Sequence, residues 1–155
     1  MKKILAGTFF IVMVAGNVHS QNSQEEVDFF ITTIGPEKKA LAREFMKIDQ
    51  SNSYEFWRLF DEYEVKQKEL TKKRWILLNQ YAACIESMSD DQATDMMKEI
   101  ISQSKTTNKL IETYYKKIRK VTSAKVAAKF YQFEHFLLSG THLEILNLFP
   151  FTGEL

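Results

Sequence analysis

Apolar residues recur every three or four positions along most of the chain after residue 36, which is the repeat of a helix with one buried face. The longest series predicts a helix over residues 53–88, and two further series predict helices over 93–121 and 121–149. A shorter series predicts a helix over 37–47. No segment of any length alternates apolar and polar residues in the way a half-buried strand does.

These elements predict an all-α fold with three long antiparallel helices and a short N-terminal helix. The short connections between the helices favour antiparallel neighbours, and five Gly and two Pro are too few for the many turns of a sandwich or barrel. We expect Leu41, Phe45 and Ile48 to form the packed face of the short helix. We expect the charged stretch 62–74 to be the most exposed part of the longest helix.

The boundary between the second and third predicted helices has a recognisable capping sequence. Ser89 is a natural N-cap residue, and the acidic Asp90 and Asp91 suit the positive end of a helix dipole. Gln92, three residues after Ser89, can complete a capping box. A similar polar boundary at residues 121–125 precedes the last predicted helix.

Residues 1–20 have the layout of a cleaved secretory signal peptide, with the basic start Met1-Lys2-Lys3 and an uncharged apolar run over 4–16. That run is shorter than the roughly 20 residues of a membrane-spanning helix, so we expect no stable membrane insertion. The expected location is the periplasm or the outside of a Gram-negative type bacterium. Residues 21–36 are a polar arm that can be flexible, with one apolar pair, Phe29-Phe30, and residues 37–155 form a single helical domain.

Residue types that carry chemistry are sparse. The chain has 21 Lys and Arg against 20 Asp and Glu, so it lacks the basic excess of a nucleic-acid-binding protein. It contains no Gly-rich phosphate loop, no Cys pair and no G-x-S-x-G motif. His135 and His142 are seven residues apart on one helix, or about 10 Å, which is too far for two ligands of one metal. We therefore expect no catalytic residue, no cofactor and no metal site, and the chain is not expected to be an enzyme.

Several short motifs occur in a recognisable order between Phe45 and Phe151. Residues 88–92 match the pattern L-T-x-x-Q with Met for Leu and Ser for Thr, and residues 121–125 match it with Lys125 in place of Gln. Together with the other motif residues, this order resembles the LTxxQ family of small periplasmic helical proteins, the group of Spy and CpxP, in a less studied branch. The family-like residues are Phe56, Trp57, Tyr63, Met88, Ser89, Gln92, Thr122, Phe130, Gln132 and Glu134.

The resemblance implies an elongated helical hairpin that often forms a homodimer. It implies an ATP-independent chaperone that holds unfolded or partner chains of the cell envelope on an apolar helical surface. The alternative is a dedicated envelope-stress adaptor or sensor subunit that regulates one partner, or a weak metal sensor. The candidate residues for client binding are Trp75, Met96, Met97, Phe136 and Phe149.

Overall fold

The computed structural model describes residues 37–84 and 87–148, with the backbone alone for 51–52 and 143–148. The described residues form helix α1 (37–46), α2 (Gln50–Cys84), α3 (Asp90–Val121) and α4 (Ala124–Leu148), and they contain no strand. The prediction of an all-α fold with three long helices and a short one in front is therefore confirmed. The predicted signal peptide (1–20) and arm (21–36) lie outside the described residues.

The start of α3 confirms the predicted capping box. The Gln92 backbone N–H donates to Ser89 Oγ over 3.3 Å, and the Ser89 backbone N–H donates to Gln92 Oε1 over 2.9 Å. Two backbone donors at the helix end are satisfied in this way. Asp90 and Asp91 occupy the first turn, where their charges suit the helix dipole.

At the boundary between α3 and α4, two neighbouring residues each cap one helix. Thr122 belongs to the end of α3, since its backbone N–H and its Oγ1 both donate to the Ile118 carbonyl, over 2.9 and 2.7 Å. Ser123 starts α4, because its Oγ accepts from the Val126 N–H over 3.2 Å. The residue that aligns with the Thr of the second motif is therefore the C-cap of one helix, and its neighbour caps the next.

Helix α3 is the central element, with α2 and α4 packed antiparallel against it. No Cα atom of α2 lies within 8 Å of one of α4 among the described residues, so a groove runs between these two helices. At one end of the bundle, α1 lies in this groove, and the hydrophobic core is at the same end. We call this the core end; its buried residues are Ala42, Met46, Phe56, Leu59, Phe60, Tyr63, Ile111, Tyr114, Ile118, Ala127, Phe130 and Phe133.

The predicted packed face of α1 is wrong in part. Leu41 and Phe45 are 44% and 45% exposed, whereas Ala42 and Met46 are fully buried. The reason is electrostatic, because Lys38 binds two carboxylates inside the groove. Residues four and eight positions after Lys38 lie on the same side of a helix as Lys38, so Ala42 and Met46 turn inwards.

The expectation that the middle of α2 is its most exposed part is also wrong in part. Tyr63 is fully buried, and Glu64 is largely buried. Exposure increases towards the end of α2. We call the part of the bundle built from residues 65–84, 90–110 and 135–148 the distal half, and Leu77 is the one apolar residue there that is buried among those described. None of the described helices has the length and apolar character needed to cross a membrane.

Because the core end is buried and the distal half is exposed, replacing a side chain by Ala should lower the free energy of unfolding more at the core end. Phe60→Ala removes a fully buried ring that packs against Trp57 and Phe130 and should lower the free energy of unfolding by about 3–5 kcal/mol. Val65→Ala, at a position that is 66% exposed, should change it by about 0.5 kcal/mol or less. Urea denaturation of both variants measures the difference, and equal losses would contradict this location of the core.

Candidate functional site

The core end brings together five of the family-like residues. The Phe56 and Trp57 rings meet edge to face with centroids 4.9 Å apart, and the Tyr63 and Phe130 rings do so at 5.1 Å. Glu134 accepts a hydrogen bond from the Tyr63 hydroxyl over 2.7 Å. These residues come from α2 and α4, so the fold joins two motifs that are far apart along the chain.

The other five family-like residues lie elsewhere, and one of them, Thr122, is the C-cap of α3. Met88, Ser89 and Gln92 are at the opposite end of the bundle, at the start of α3, and Gln132 is exposed on α4. The structure therefore places the L-T-x-x-Q-like motif in a capping position and the aromatic motifs in the core.

Glu134 is the one charged side chain among the described residues that is buried, with 2% of its surface exposed. Lys38 Nζ donates to Glu134 Oε2 over 2.9 Å and to Glu64 Oε1 over 2.7 Å. With the Tyr63 hydroxyl, these groups form a cluster that joins α1, α2 and α4. We call it the Lys38 cluster.

The charges within the Lys38 cluster support one another. Burial alone would lower the pKa of Lys38, but the negative charges of Glu134 and Glu64 raise the pKa above its usual value. Burial, followed by the charge of Glu134, raises the pKa of Tyr63, so this phenol remains a hydrogen-bond donor. Burial also raises the pKa of Glu64, and Lys38 opposes that effect.

The Lys38 cluster is a structural site. The Lys38 ammonium is engaged by two carboxylates and faces the Tyr63 ring at 5.2 Å, so it is not available as a nucleophile or base. Sequence reasoning missed Lys38 and Glu64, which look like members of solvated charged faces. The one signal was the position of Glu134, four residues after Phe130 and therefore on the apolar side of α4.

A second charged cluster joins α2 to α3. Glu62 Oε1 accepts hydrogen bonds from the Tyr114 hydroxyl over 2.6 Å and from Lys117 Nζ over 2.9 Å, and Lys66 lies 3.5 Å away. The hydrogen bonds from Tyr114 and then Lys117 lower the pKa of Glu62 to about 2. This cluster joins α2 to α3 through side chains that are 52 and 55 positions apart.

The candidate client-binding residues do not form one patch. Met96 and Met97 precede Tyr114 and Tyr115 by 18 residues, which is five helical turns, so each methionine shares the face of the matching tyrosine. Tyr114 faces α2, and Tyr115 contacts Tyr131 of α4. Met96 is accordingly half-buried on the α2 side, and Met97 is 49% exposed. Phe149 lies outside the described residues.

Two other candidates lie along the α2–α4 groove. Trp75 follows Trp57 by five turns, and Trp57 faces Arg43 of α1 at 5.3 Å. Phe136 follows Lys129 by two turns, and Lys129 Nζ donates to the Met46 carbonyl of α1 over 3.1 Å. Trp75 and Phe136 therefore lie on the same faces of α2 and α4 that α1 covers at the core end.

Among the helices that the structure describes, none lies over the α2–α4 groove beyond the start of α1. Gly140 follows Phe133 by two turns, and Phe133 contacts Phe45 of α1 with ring centroids 5.4 Å apart. A Cβ atom added at Gly140 would meet nothing within 4 Å. Phe136 is 69% exposed. We call this stretch the open groove, and we define it by Gln67, Arg74, Trp75, Phe136 and Gly140.

The described residues contain no group of three or more His, Cys, Asp and Glu side chains placed to hold a metal. His135 stacks on Tyr131 at 4.3 Å. Burial, and then the positive charge of Arg74, lowers the pKa of His142. We take the open groove as the candidate binding site.

The Lys38 cluster predicts a strong effect of removing its cation. Lys38→Met leaves the buried Glu134 carboxylate without its counter-charge and should lower the free energy of unfolding by about 3–5 kcal/mol. Lys39→Met is the matched control, because the Lys39–Asp61 pair is exposed and such pairs contribute about 1 kcal/mol or less. Adding Glu134→Gln to Lys38→Met should restore part of the loss. Equal effects of the two lysine substitutions in thermal denaturation would refute the assignment.

Glu62 should contribute to the stability of the fold in a pH-dependent way. Its pKa is lower in the folded chain than the ordinary 4.5, so its contribution is present above pH 4.5 and is lost as the pH falls towards 2. Glu62→Gln should be less stable than the wild type at neutral pH, and the difference in Tm should shrink across that interval. Glu69→Gln, an exposed change of the same net charge, is the control. A difference that is constant from neutral pH to pH 2 would argue against the Glu62 cluster.

Comparison with known proteins yields no relative for this chain. No protein-family model, no curated protein and no solved structure matches it.

Proposed function

We propose that the protein is an exported, ATP-independent binding protein of the cell envelope, related to the LTxxQ group, which holds unfolded or partner chains. The observation that carries this proposal is the open groove, where Phe136 is 69% exposed and Trp75 is half-buried. Exposed apolar surface in a groove is a common feature of protein-interaction sites. The binding residues of this proposal are Trp75 and Phe136, with Met97 on a neighbouring face.

The shape of the bundle supports binding of extended chains. The groove runs parallel to α2 and α4, and in the distal half it lies between two helices that do not touch through their backbones. Aromatic rings and methionine adapt to many partner side chains. Lys68, which is exposed on α2, adds a positive charge that favours acidic segments.

Export is part of the proposal and depends on the sequence of residues 1–20. Homodimer formation is inferred from the family resemblance. The alternative function, a dedicated adaptor or sensor for one envelope partner, would use the same groove with a single binding sequence. The two differ in their range of partners.

An aggregation assay separates these functions. The purified protein, without nucleotide, is mixed at stoichiometric amounts with two unrelated, chemically denatured proteins, and light scattering follows their aggregation. We expect suppression of both. Suppression of one client alone would favour the adaptor, and suppression of neither would refute the general chaperone.

Substitutions of exposed aromatic residues test which surface binds the client chains. Phe136→Ser should raise the amount of protein needed for half-suppression by at least about threefold, because one buried aromatic contact contributes on the order of 1 kcal/mol. Tyr54→Ser is the matched control, since Tyr54 is 76% exposed and lies outside the open groove. Equal activity of the two variants would place client binding elsewhere on the molecule.

A further inference from the structure

The turn between α1 and α2 has a strained backbone. Lys47 directly follows α1 and has a φ of 43°, in the left-handed region that residues other than Gly normally avoid. Helices commonly end with a left-handed residue, but that residue is usually Gly. Lys47 relaxes only if its backbone leaves this conformation, and such a change would turn α1 away from its own α2.

The connection is also short and can itself become helical. Residues 47–49 alone separate α1 from α2, and they contain neither Gly nor Pro. With Lys47 in the right-handed region, α1 and α2 can join in one helix over residues 37–84. Short connections under strain favour domain swapping, in which an element leaves its own chain and occupies the same site in a second copy.

The contacts that hold α1 are ones that a second copy can supply. Lys38 binds Glu64 of α2 and Glu134 of α4, and the Met46 carbonyl accepts a hydrogen bond from Lys129 of α4. Each contact joins α1 to another helix, so each is retained when α1 comes from a second copy. The buried Glu134 carboxylate then keeps its counter-charge, and the exchange breaks none of these ion pairs.

The lengths of the helices allow this exchange. In the groove, α1 runs antiparallel to α2, since Lys38 binds Glu64 and Arg43 faces Trp57. In one continuous helix, Lys38 would lie twelve residues before Gln50, or about 18 Å beyond the start of α2. Glu64 lies fourteen residues after Gln50, or about 21 Å along α2. Two copies can therefore meet end to end at their core ends, without overlap of their α2 helices.

We propose that α1 is exchanged between two copies of this chain, so that Lys38 of each copy binds Glu64 and Glu134 of the other. Relaxation of Lys47 at both connections favours the exchanged dimer over two copies that each keep α1 in their own groove. The exchange goes beyond the proposed function, which includes a homodimer but assigns it no interface. It does not depend on client binding, so the two can fail separately.

Sedimentation equilibrium tests the role of the connection. The protein is first refolded from urea at high concentration, so that slow opening of α1 does not limit the exchange. We expect a dimer whose dissociation constant rises at least about tenfold in Lys47→Gly, because Gly adopts a positive φ without strain and each dimer contains two connections.

Lys47→Ala is the matched control for this substitution. It removes the same charge but keeps the Cβ atom that disfavours a positive φ, so it should change the dissociation constant by about threefold or less. Equal constants for Lys47→Gly and Lys47→Ala, or a wild-type protein that stays monomeric, would overturn the proposal.

A mixture of two charge variants tests the interface itself. Lys38→Glu brings three carboxylates together within one chain, and Glu134→Lys brings two ammonium groups together. In a refolded equimolar mixture, each α1 can enter a groove with the opposite charge at position 134. Native mass spectrometry should then show the heterodimer in at least about tenfold excess over either homodimer, and the helical circular dichroism of the mixture should be at least that of each variant alone.

Lys117→Glu mixed with Glu62→Lys is the matched control. This ion pair joins α2 to α3, which are not exchanged, so its mixture should contain only the statistical proportion of heterodimer. A statistical proportion in the Lys38→Glu and Glu134→Lys mixture would overturn the exchange. A dimer as stable in Lys38→Glu as in the wild type would also overturn it, because the copies would then associate through another surface.

Discussion

The buried carboxylate of Glu134 requires a counter-charge and a hydrogen-bond donor, and the arrangement of three helices follows from how these are supplied. Lys38 from α1 and Tyr63 from α2 both donate to its Oε2 atom. If α1 shifted by one turn, Lys38 would leave the cluster and a charge would stay buried alone. The Lys38 cluster therefore sets the position of α1, and through α1 it sets which part of the α2–α4 groove is closed.

This constraint acts at one end of the bundle only. Aromatic rings from α2, α3 and α4 surround the Lys38 cluster, so burial, ring packing and ion pairing stabilise the same region. The distal half lacks a comparable core among its described residues and exposes apolar side chains such as Phe136 and Met97. Regions with fewer buried contacts open at lower free energy. A firmly packed core end is thus continuous with a distal half that exposes apolar side chains.

The helices were predictable because their signals are local, but the faces that they bury were less so. Leu41 and Phe45 are the larger apolar residues of α1, yet Ala42 and Met46 are buried, since the ion pairs of Lys38 rotate the helix. Adjacent Met96 and Met97 look equivalent in sequence and belong to different faces of α3. The groove between Trp75 and Phe136 could not be read from periodicity, because periodicity identifies the apolar stripe of one helix and not the space between two.

By itself, the sequence determined that the chain is helical, where α3 begins and how its first turn is capped. These properties depend on the spacing of apolar residues and on hydrogen bonds between Ser89 and Gln92, three positions apart. Only the tertiary structure decided that Glu134 is buried, that it meets Tyr63 and Lys38 across 71 and 96 positions, and that α1 covers the α2–α4 groove at the core end. Pairings at such separations depend on how whole helices pack, because the free energy of a buried charge is decided by every neighbour that surrounds it.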